Sequence, residues 1–266
     1  MSVSKKRIVV KVGTSTLTDE NGNIDIRTMD HLCRALAGAE NMGYDLVLVS
    51  SGAIAVGANK MRLAQKPKEI KMKQAAASVG QTELMHLYDK FFGEYNRMVG
   101  QILLDNDDLT DQVRSENLKN TFDALLENHI IPIVNENDSV SHAEIESEKK
   151  LFSDNDMLSA LVAVFCNACK LIIFSDIDGL YDGNPSSDPS AKLISRVEEI
   201  TDELKGVASG SGSNRGTGGM ITKLEAAELA TKNGIDVLIT NGKHPEMLYD
   251  IIDKKKVGTL FVAKEI

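Results

Sequence analysis

A run of glycines leads directly into a lysine in the last quarter of the chain. Glycines occupy six positions between 206 and 219, and Thr222 and Lys223 follow at the start of an apolar-periodic helical pattern. Glycines let successive backbone N–H groups converge on an anion, a helix N-terminus adds partial positive charge, and a lysine supplies a full charge. The stretch therefore predicts a phosphate-binding cradle, with a flexible surface loop as the alternative.

Two further turns could serve the same phosphate. Lys11 precedes Gly13 near the N-terminus, and the small residues from Ser50 to Ala53 follow an apolar run. The P-loop pattern is absent because Thr222, not glycine, precedes Lys223, and no Gly-x-Gly-x-x-Gly run follows the first apolar run. The three turns together indicate one phosphate site that is neither a P-loop nor a dinucleotide-binding site.

Composition restricts the class of protein. The 266 residues are 42% hydrophobic and 26% charged, which is ordinary for a globular chain with a substantial core. A formal net charge of −9 argues against a nucleic-acid partner, since binding to a phosphate backbone relies on a basic surface. No apolar run approaches the roughly 20 residues of a membrane helix, and the three cysteines fit a reducing compartment. We therefore expect a cytoplasmic protein without a membrane partner.

Strand-like and helix-like patterns alternate along the chain. Apolar runs rich in β-branched residues predict strands at Ile8–Val12, Leu46–Val49, Val99–Leu104, Ile130–Val134, Leu171–Phe174, Val237–Thr240 and Leu260–Val262. Periodic patterns predict helices at Thr28–Met42, Lys68–Val79, Thr82–Phe92, Asn117–Asn128, Asp156–Ala168 and Thr222–Asn233. The order predicts an α/β fold with a mostly parallel open sheet sandwiched between helices, built as one domain over residues 1–266. Such folds bind ligands outside the carboxyl ends of their strands.

One segment interrupts this alternation. Val140 to Phe152 is polar and charged, with three glutamates and two lysines between two more regular patterns. We expect it to form an exposed hairpin or a lid.

Five short motifs together resemble the amino-acid kinase family. They are Lys11 to Ser15, Ser50 to Ile54, Asn135 to Asp138, Asp154 to Asp156 and Thr217 to Lys223. The segments Lys73 to Gln81 and Val257 to Phe261 are also similar to members of that family, so that the resemblance covers nearly the whole chain. In this combination the motifs resemble those members that act on glutamate, in a form without the C-terminal PUA domain that many bacterial members carry.

The resemblance implies transfer of the ATP γ-phosphoryl group to the side-chain carboxylate of L-glutamate. The product would be L-glutamyl 5-phosphate, at the entry to proline biosynthesis. A glutamate carboxylate, with a reference pKa of about 4.3, is already ionised at pH 7 and needs no general base. The family further implies Mg²⁺ with the nucleotide, feedback inhibition by L-proline, and a homo-oligomer, either a dimer or a tetramer. The sequence identifies no protein ligand for the metal.

The resemblance also implies roles for single residues in phosphoryl transfer. Lys11 would reach the γ-phosphoryl group and Lys223 the β/γ region, while Asp156 would hold both ammonium groups. A helix cap is the alternative role for Asp156, because aspartate is favoured at helix N-termini. The nucleotide would contact Lys11, Gly13, Ser175, Asp176, Thr217, Gly218, Gly219, Met220, Ile221, Thr222 and Lys223.

The acceptor site is implied in the same way. Asp138 would accept from the ammonium group of the substrate, and Asn155 would donate to its α-carboxylate. Further contacts in the acceptor site would come from Ser51, Gly52, Ala53 and Asn135.

Two alternatives stay open. The first is another kinase of the same fold, acting on acetylglutamate, aspartate, carbamate or a nucleoside monophosphate. Asp138 argues against acetylglutamate, whose amide nitrogen carries no charge. The second is a nucleotide-binding regulator without turnover, and the presence of both Lys11 and Lys223 argues against it.

Overall fold

The computed structural model describes residues 6–140, 154–185, 188–209 and 219–264. Within them, the elements follow in the order β1 (Arg7–Val12), α1 (Thr14–Leu17), α2 (Ile26–Asn41), β2 (Asp45–Val49), α3 (Ala53–Lys60), α4 (Ile70–Glu94), β3 (Met98–Leu104), α5 (Asn106–Thr110), α6 (Gln112–Glu127), β4 (Ile130–Glu136), α7 (Asn155–Phe165), β5 (Lys170–Ser175), β6 (Arg196–Val197), α8 (Asp202–Ser209), α9 (Met220–Lys232), β7 (Asp236–Asn241), α10 (Met247–Ile252) and β8 (Thr259–Phe261). The short helices α1, α5, α8 and α10 were not predicted. The predicted hairpin or lid lies outside the described residues from position 141 onward.

The strands form one eight-stranded sheet in the order β3-β4-β2-β1-β5-β7-β8-β6. Its pairings are parallel except for β7 with β8, which confirms the predicted mostly parallel sheet. Helices cover both faces, so β1 is buried along its whole length, and its residues are apolar except for Arg7 and Lys11. Side chains alternate across it, because Val9 packs into one apolar core and Val10 into the other.

The register aligns the carboxyl ends of the central strands. Lys11 of β1 pairs with Val49 of β2 and with Ile173 of β5, and Val49 pairs in turn with Val134 of β4. The residues that follow these positions therefore emerge at the same edge of the sheet. This is the edge at which doubly wound folds bind their ligands.

The long helix α4 corrects the sequence-based assignment. Two helices were predicted on either side of Gly80, but a single helix runs through that position. Glycine lowers helix propensity, which suggested a break there. The structure gives the reason for the glycine, since a Cβ atom at Gly80 would overlap the backbone carbonyl oxygen of Ala53 in α3.

Helix α3 was not predicted, and it packs unusually close to α4. A Cβ atom at Gly57 in α3 would overlap the carbonyl oxygen of Ala76 in α4, so the two helices meet backbone to backbone. Gly52 caps the start of α3 with a φ of 96°, a left-handed conformation that favours glycine. The helix is short and contains a glycine, which is why its periodicity gave no clear signal.

None of the helices in the described part of the chain combines the length and apolarity needed to cross a membrane.

The backbone contact between α3 and α4 makes a testable prediction. Gly80→Ala adds a methyl group where no space exists, and we expect it to destabilise the fold by about 1–3 kcal/mol, as overpacked cores do. Gly93→Ala is the matched control in the same helix, because a Cβ atom there meets nothing within 4 Å. The control should be neutral or stabilise by up to about 1 kcal/mol.

Urea unfolding of the two variants and the wild type measures both effects. Equal stability of Gly80→Ala and Gly93→Ala would show that the two helices can separate without cost.

Candidate active site

Two lysines converge on one aspartate at the carboxyl edge of the sheet. Lys11 Nζ lies 2.6 Å from Asp156 Oδ1, and Lys223 Nζ lies 3.0 Å from Asp156 Oδ2. All three side chains are buried, with residue exposures of 6% for each lysine and 2% for the aspartate. The structure thus brings together the three residues that the sequence placed in phosphoryl transfer.

The electrostatics of this triad favour an ionised carboxylate. Burial alone would raise the pKa of Asp156, but the charges of Lys11 and Lys223 outweigh it and hold the pKa below the ordinary value of 3.8. Two ammonium groups against one carboxylate leave one net positive charge in the cluster. A buried cluster of this kind attracts an anion in spite of the negative charge of the chain as a whole.

Asp154, not Asp156, caps the helix α7. Asp154 Oδ1 accepts hydrogen bonds of 3.0 Å from the backbone N–H groups of Asp156 and Met157. The alternative role of Asp156 as a helix cap is therefore wrong, and its carboxylate is available to the two lysines. Asp154 was part of a motif in the sequence but had no predicted role of its own.

The first turn of α9 supplies the second lysine. Its N-cap, Gly219, offers no side-chain hydrogen bond, and Thr222 Oγ1 lies 3.1 Å from Asp156 Oδ2. A cation in the first turn of a helix is unfavourable unless an anion compensates it, and Asp156 provides that anion for Lys223. Met220 is buried and Ile221 is half-buried in the same turn. The predicted nucleotide contacts Thr217 and Gly218 lie outside the described residues.

A network of side-chain amides adjoins the triad. Asn155 Nδ2 lies 2.8 Å from the Ser50 carbonyl oxygen, 2.8 Å from Ser51 Oγ and 2.9 Å from Asn135 Oδ1. Asn135 Nδ2 in turn donates to Gln81 Oε1 over 2.9 Å. Residues from the end of β2, from β4, from α7 and from α4 therefore meet at one point beside Asp156.

The orientation of Asn155 follows from its hydrogen-bond partners. Its amino group faces three oxygen atoms, one of which is the Ser50 carbonyl, and a carbonyl oxygen can only accept. Asn155 must therefore turn its nitrogen to the protein, and Oδ1 lies at the other end of the amide group. Which end of the Asn155 amide meets the substrate stays a prediction.

Gln81 and Tyr88 are polar groups that the sequence analysis gave no role. Both lie on the buried stripe of α4 that includes Ala77 and Leu84, and the Tyr88 hydroxyl lies 2.9 Å from Ser50 Oγ. Burial raises the pKa of Tyr88 far above its ordinary value, so the hydroxyl stays neutral. A glutamine within an otherwise apolar stripe was the sequence signal that could have found Gln81.

The other predicted contacts lie on the same edge of the sheet. Gly52 and Ala53 form the start of α3, and a methyl group at Gly13 would lie 3.6 Å from Lys11 Nζ. Ser175 ends β5 and is buried, and its hydroxyl donates to the exposed Asp176 over 3.1 Å. Asp138 is half-buried in the turn after β4, three residues beyond Asn135.

Solved structures with this fold include kinases of small acceptors. Carbamate kinase from Giardia lamblia bound to AMP-PNP superposes with a TM-score of 0.67 at 16% sequence identity, covering 98% of this chain and 99% of the other. At that identity the likeness shows the fold alone.

Sequence relatives define the family. Residues 6–241 match the amino acid kinase family. Glutamate 5-kinase from Clostridium perfringens is 55% identical over 98% of this chain and 96% of its own length, and glutamate 5-kinase from Listeria innocua is 50% identical over 98% and 95%. The chain therefore belongs to the amino acid kinase family and, within it, to the glutamate 5-kinases.

Proposed function

We propose that this chain is an ATP-dependent kinase that phosphorylates the side-chain carboxylate of L-glutamate. The product is L-glutamyl 5-phosphate, and the reaction is the first step of proline biosynthesis. The observation that carries the proposal is the buried Lys11–Asp156–Lys223 triad, in which two ammonium groups lie next to a network of neutral side-chain amides. The relatives named glutamate 5-kinase support the choice of acceptor.

The chemistry is chiefly an electrostatic problem. An anionic carboxylate must approach an anionic triphosphate, and the nucleophile itself needs no activation because it is ionised at neutral pH. Lys11 and Lys223 stabilise the negative charge that spreads over the transferring phosphoryl group. Asp156 keeps both amines in place, so no reorganisation is needed when the transition state forms.

The nucleotide enters as its Mg²⁺ complex in this proposal. The metal ion would supply positive charge that offsets the charge of the phosphate groups. Among the described residues, no group of three or more His, Cys, Asp or Glu side chains converges as a metal site would require. We assign the ion to the phosphates of the nucleotide. Ser175, Asp176 and the first turn of α9 line the nucleotide side.

The acceptor site orients glutamate through complementary polarity. Asn155 Oδ1 is available as an acceptor for the substrate ammonium group, and Asp138 supplies a carboxylate for the same group. Ser51 Oγ accepts from Asn155, so its own hydrogen can be donated to a substrate carboxylate. Asn135 acts through Asn155, and the backbone N–H groups of Gly52 and Ala53 face the transferring group.

Some expectations of the family stay predictions. They are one domain with its acceptor site in the N-terminal part and its nucleotide site in the C-terminal part, a cytoplasmic location, inhibition by L-proline and a homo-oligomer.

The acceptor itself is tested by trapping the product. With ATP, Mg²⁺ and hydroxylamine, L-glutamate should give a hydroxamate, because an acyl phosphate reacts with hydroxylamine. Acetylglutamate, aspartate, carbamate and nucleoside monophosphates serve as comparison acceptors, with ADP release as the common measurement. Turnover with acetylglutamate but not with glutamate would refute the assignment, and nucleotide binding without turnover on any acceptor would favour the regulator.

Removal of either lysine tests the triad. Lys11→Met and Lys223→Met keep the side-chain length but delete the charge, and we expect kcat to fall by at least about 100-fold, as when a transition-state donor is lost. Lys232→Met is the control, since Lys232 lies on the same helix with its side chain 56% exposed. Steady-state kinetics should show little change in the control. Wild-type kcat in both Lys11→Met and Lys223→Met would contradict the roles assigned to them.

Asp156→Asn tests whether the carboxylate holds the two amines. The substitution leaves two buried ammonium groups without their shared counter-ion, and loss of one partner from a buried pair typically costs about 3–5 kcal/mol. Thermal unfolding should show the loss at pH 7, and MgATP should restore part of it by supplying negative charge. A variant as stable as the wild type would show that the amines need no carboxylate.

The pH dependence of that loss follows from the lowered pKa. A carboxyl group with a folded pKa below its unfolded value stabilises the protein above the unfolded pKa, here 3.8. The difference in stability between wild type and Asp156→Asn should therefore be constant near neutral pH. It should shrink as the pH falls below about 4 and through the folded pKa.

A further inference from the structure

Gln81 is a buried polar side chain that the mechanism above does not use. It is 8% exposed and lies on the stripe of α4 that faces the sheet, directly after Gly80. Because Gly80 has no side chain, this part of α4 lies directly against the backbone of Ala53 in α3, which begins at the proposed acceptor site. The helix therefore brings an amide from position 81 to the end of β4, more than 50 residues away in sequence.

Two backbone groups fix the direction of every amide in the network. The Ser50 carbonyl can only accept, so Asn155 turns Nδ2 toward it, and the Glu136 N–H can only donate, so Asn135 turns Oδ1 toward it over 2.9 Å. Asn135 Oδ1 then also accepts from Asn155. Asn135 Nδ2 consequently needs an acceptor on its other side, and Gln81 Oε1 provides one at 2.9 Å.

We propose that Gln81 is a positioning residue of the acceptor site. Through Asn135 it holds Asn155 with its amino group toward the protein and its carbonyl oxygen toward the ammonium group of the substrate. If Asn135 rotated by half a turn, its amino group would face the Glu136 N–H and the Asn155 amino group, and donors would oppose donors. The Glu136 N–H and Asn155 already disfavour that rotation, and the acceptor on Gln81 adds a further hydrogen bond that keeps the buried Asn135 in the productive orientation.

The inference rests on the proposed function for the identity of the substrate. The variant Gln81→Met tests it, because methionine keeps the length of the side chain but removes the hydrogen-bond acceptor of Asn135. We expect the KM for glutamate to rise about 10-fold or more, while the KM for ATP and kcat stay within about threefold, the pattern of lost ground-state binding. If Gln81→Met folds poorly, Gln81→Asn serves as the test instead. Its shorter side chain withdraws the oxygen from Asn135, and we expect it to raise the KM for glutamate as well.

Ser78→Ala is the matched control on the same helix. Ser78 is exposed, and its hydroxyl donates only within α4, to the Gln74 carbonyl oxygen over 3.0 Å. Both Michaelis constants should stay at wild-type values in this control. An unchanged KM for glutamate in Gln81→Met, or equal increases in both Michaelis constants, would overturn the proposal.

A double-mutant cycle tests whether Gln81 acts through Asn135. In the Asn135→Ala background, Gln81→Met should change the KM for glutamate by less than about twofold, because residues that act through one contact are not additive. Full additivity of the two effects would show that Gln81 does not act through Asn135. The proposed function is tested first, by measuring turnover of the wild-type protein with glutamate. The double-mutant cycle is then measured with the acceptor that the wild-type protein phosphorylates, so the two proposals can fail separately.

Discussion

A buried carboxylate between two buried ammonium groups is the interaction on which the site depends. Each of these charges alone would be costly to remove from water, and the attraction among the three compensates for that cost only while the geometry is kept. The partners come from positions 11, 156 and 223, on β1, α7 and α9. The triad can therefore form only when the first strand and two distant helices are folded together, which links the catalytic charges to the whole sheet.

The phosphoryl side and the acceptor side of the proposed site differ in their interactions. In the proposed mechanism, two lysines meet the phosphoryl group, where negative charge accumulates, whereas amides, a hydroxyl and the Asp138 carboxylate contact the acceptor. Helix α7 serves both sides, because Asp154 caps its first turn, Asn155 faces the amide network and Asp156 faces the lysines. Three consecutive residues thus link the amide network to the lysines, and in the proposed mechanism they set the distance between the acceptor and the phosphoryl group.

Close helix packing extends this arrangement to α4. The glycines at 57 and 80 allow α3 and α4 to meet backbone to backbone, and the next residue, Gln81, reaches the amide of Asn135. The helix that braces the acceptor site is therefore held by a contact between two residues without side chains. Tyr88, two turns further along, reaches Ser50 from the same face and adds a second polar contact to the end of β2.

The sequence by itself predicted the strands of the sheet apart from the two-residue β6, and their mostly parallel order, because periodicity and residue type report local preferences that suffice for buried strands. The roles of the two lysines and the aspartate were predicted from the family resemblance and not from local preferences. Only the tertiary structure decided that α4 runs through Gly80, that α3 exists, that Asp154 caps α7 and that Gln81 contacts Asn135. The direction of each amide was likewise decided there, because it is set by hydrogen-bond partners that are distant in the chain and adjacent only after folding.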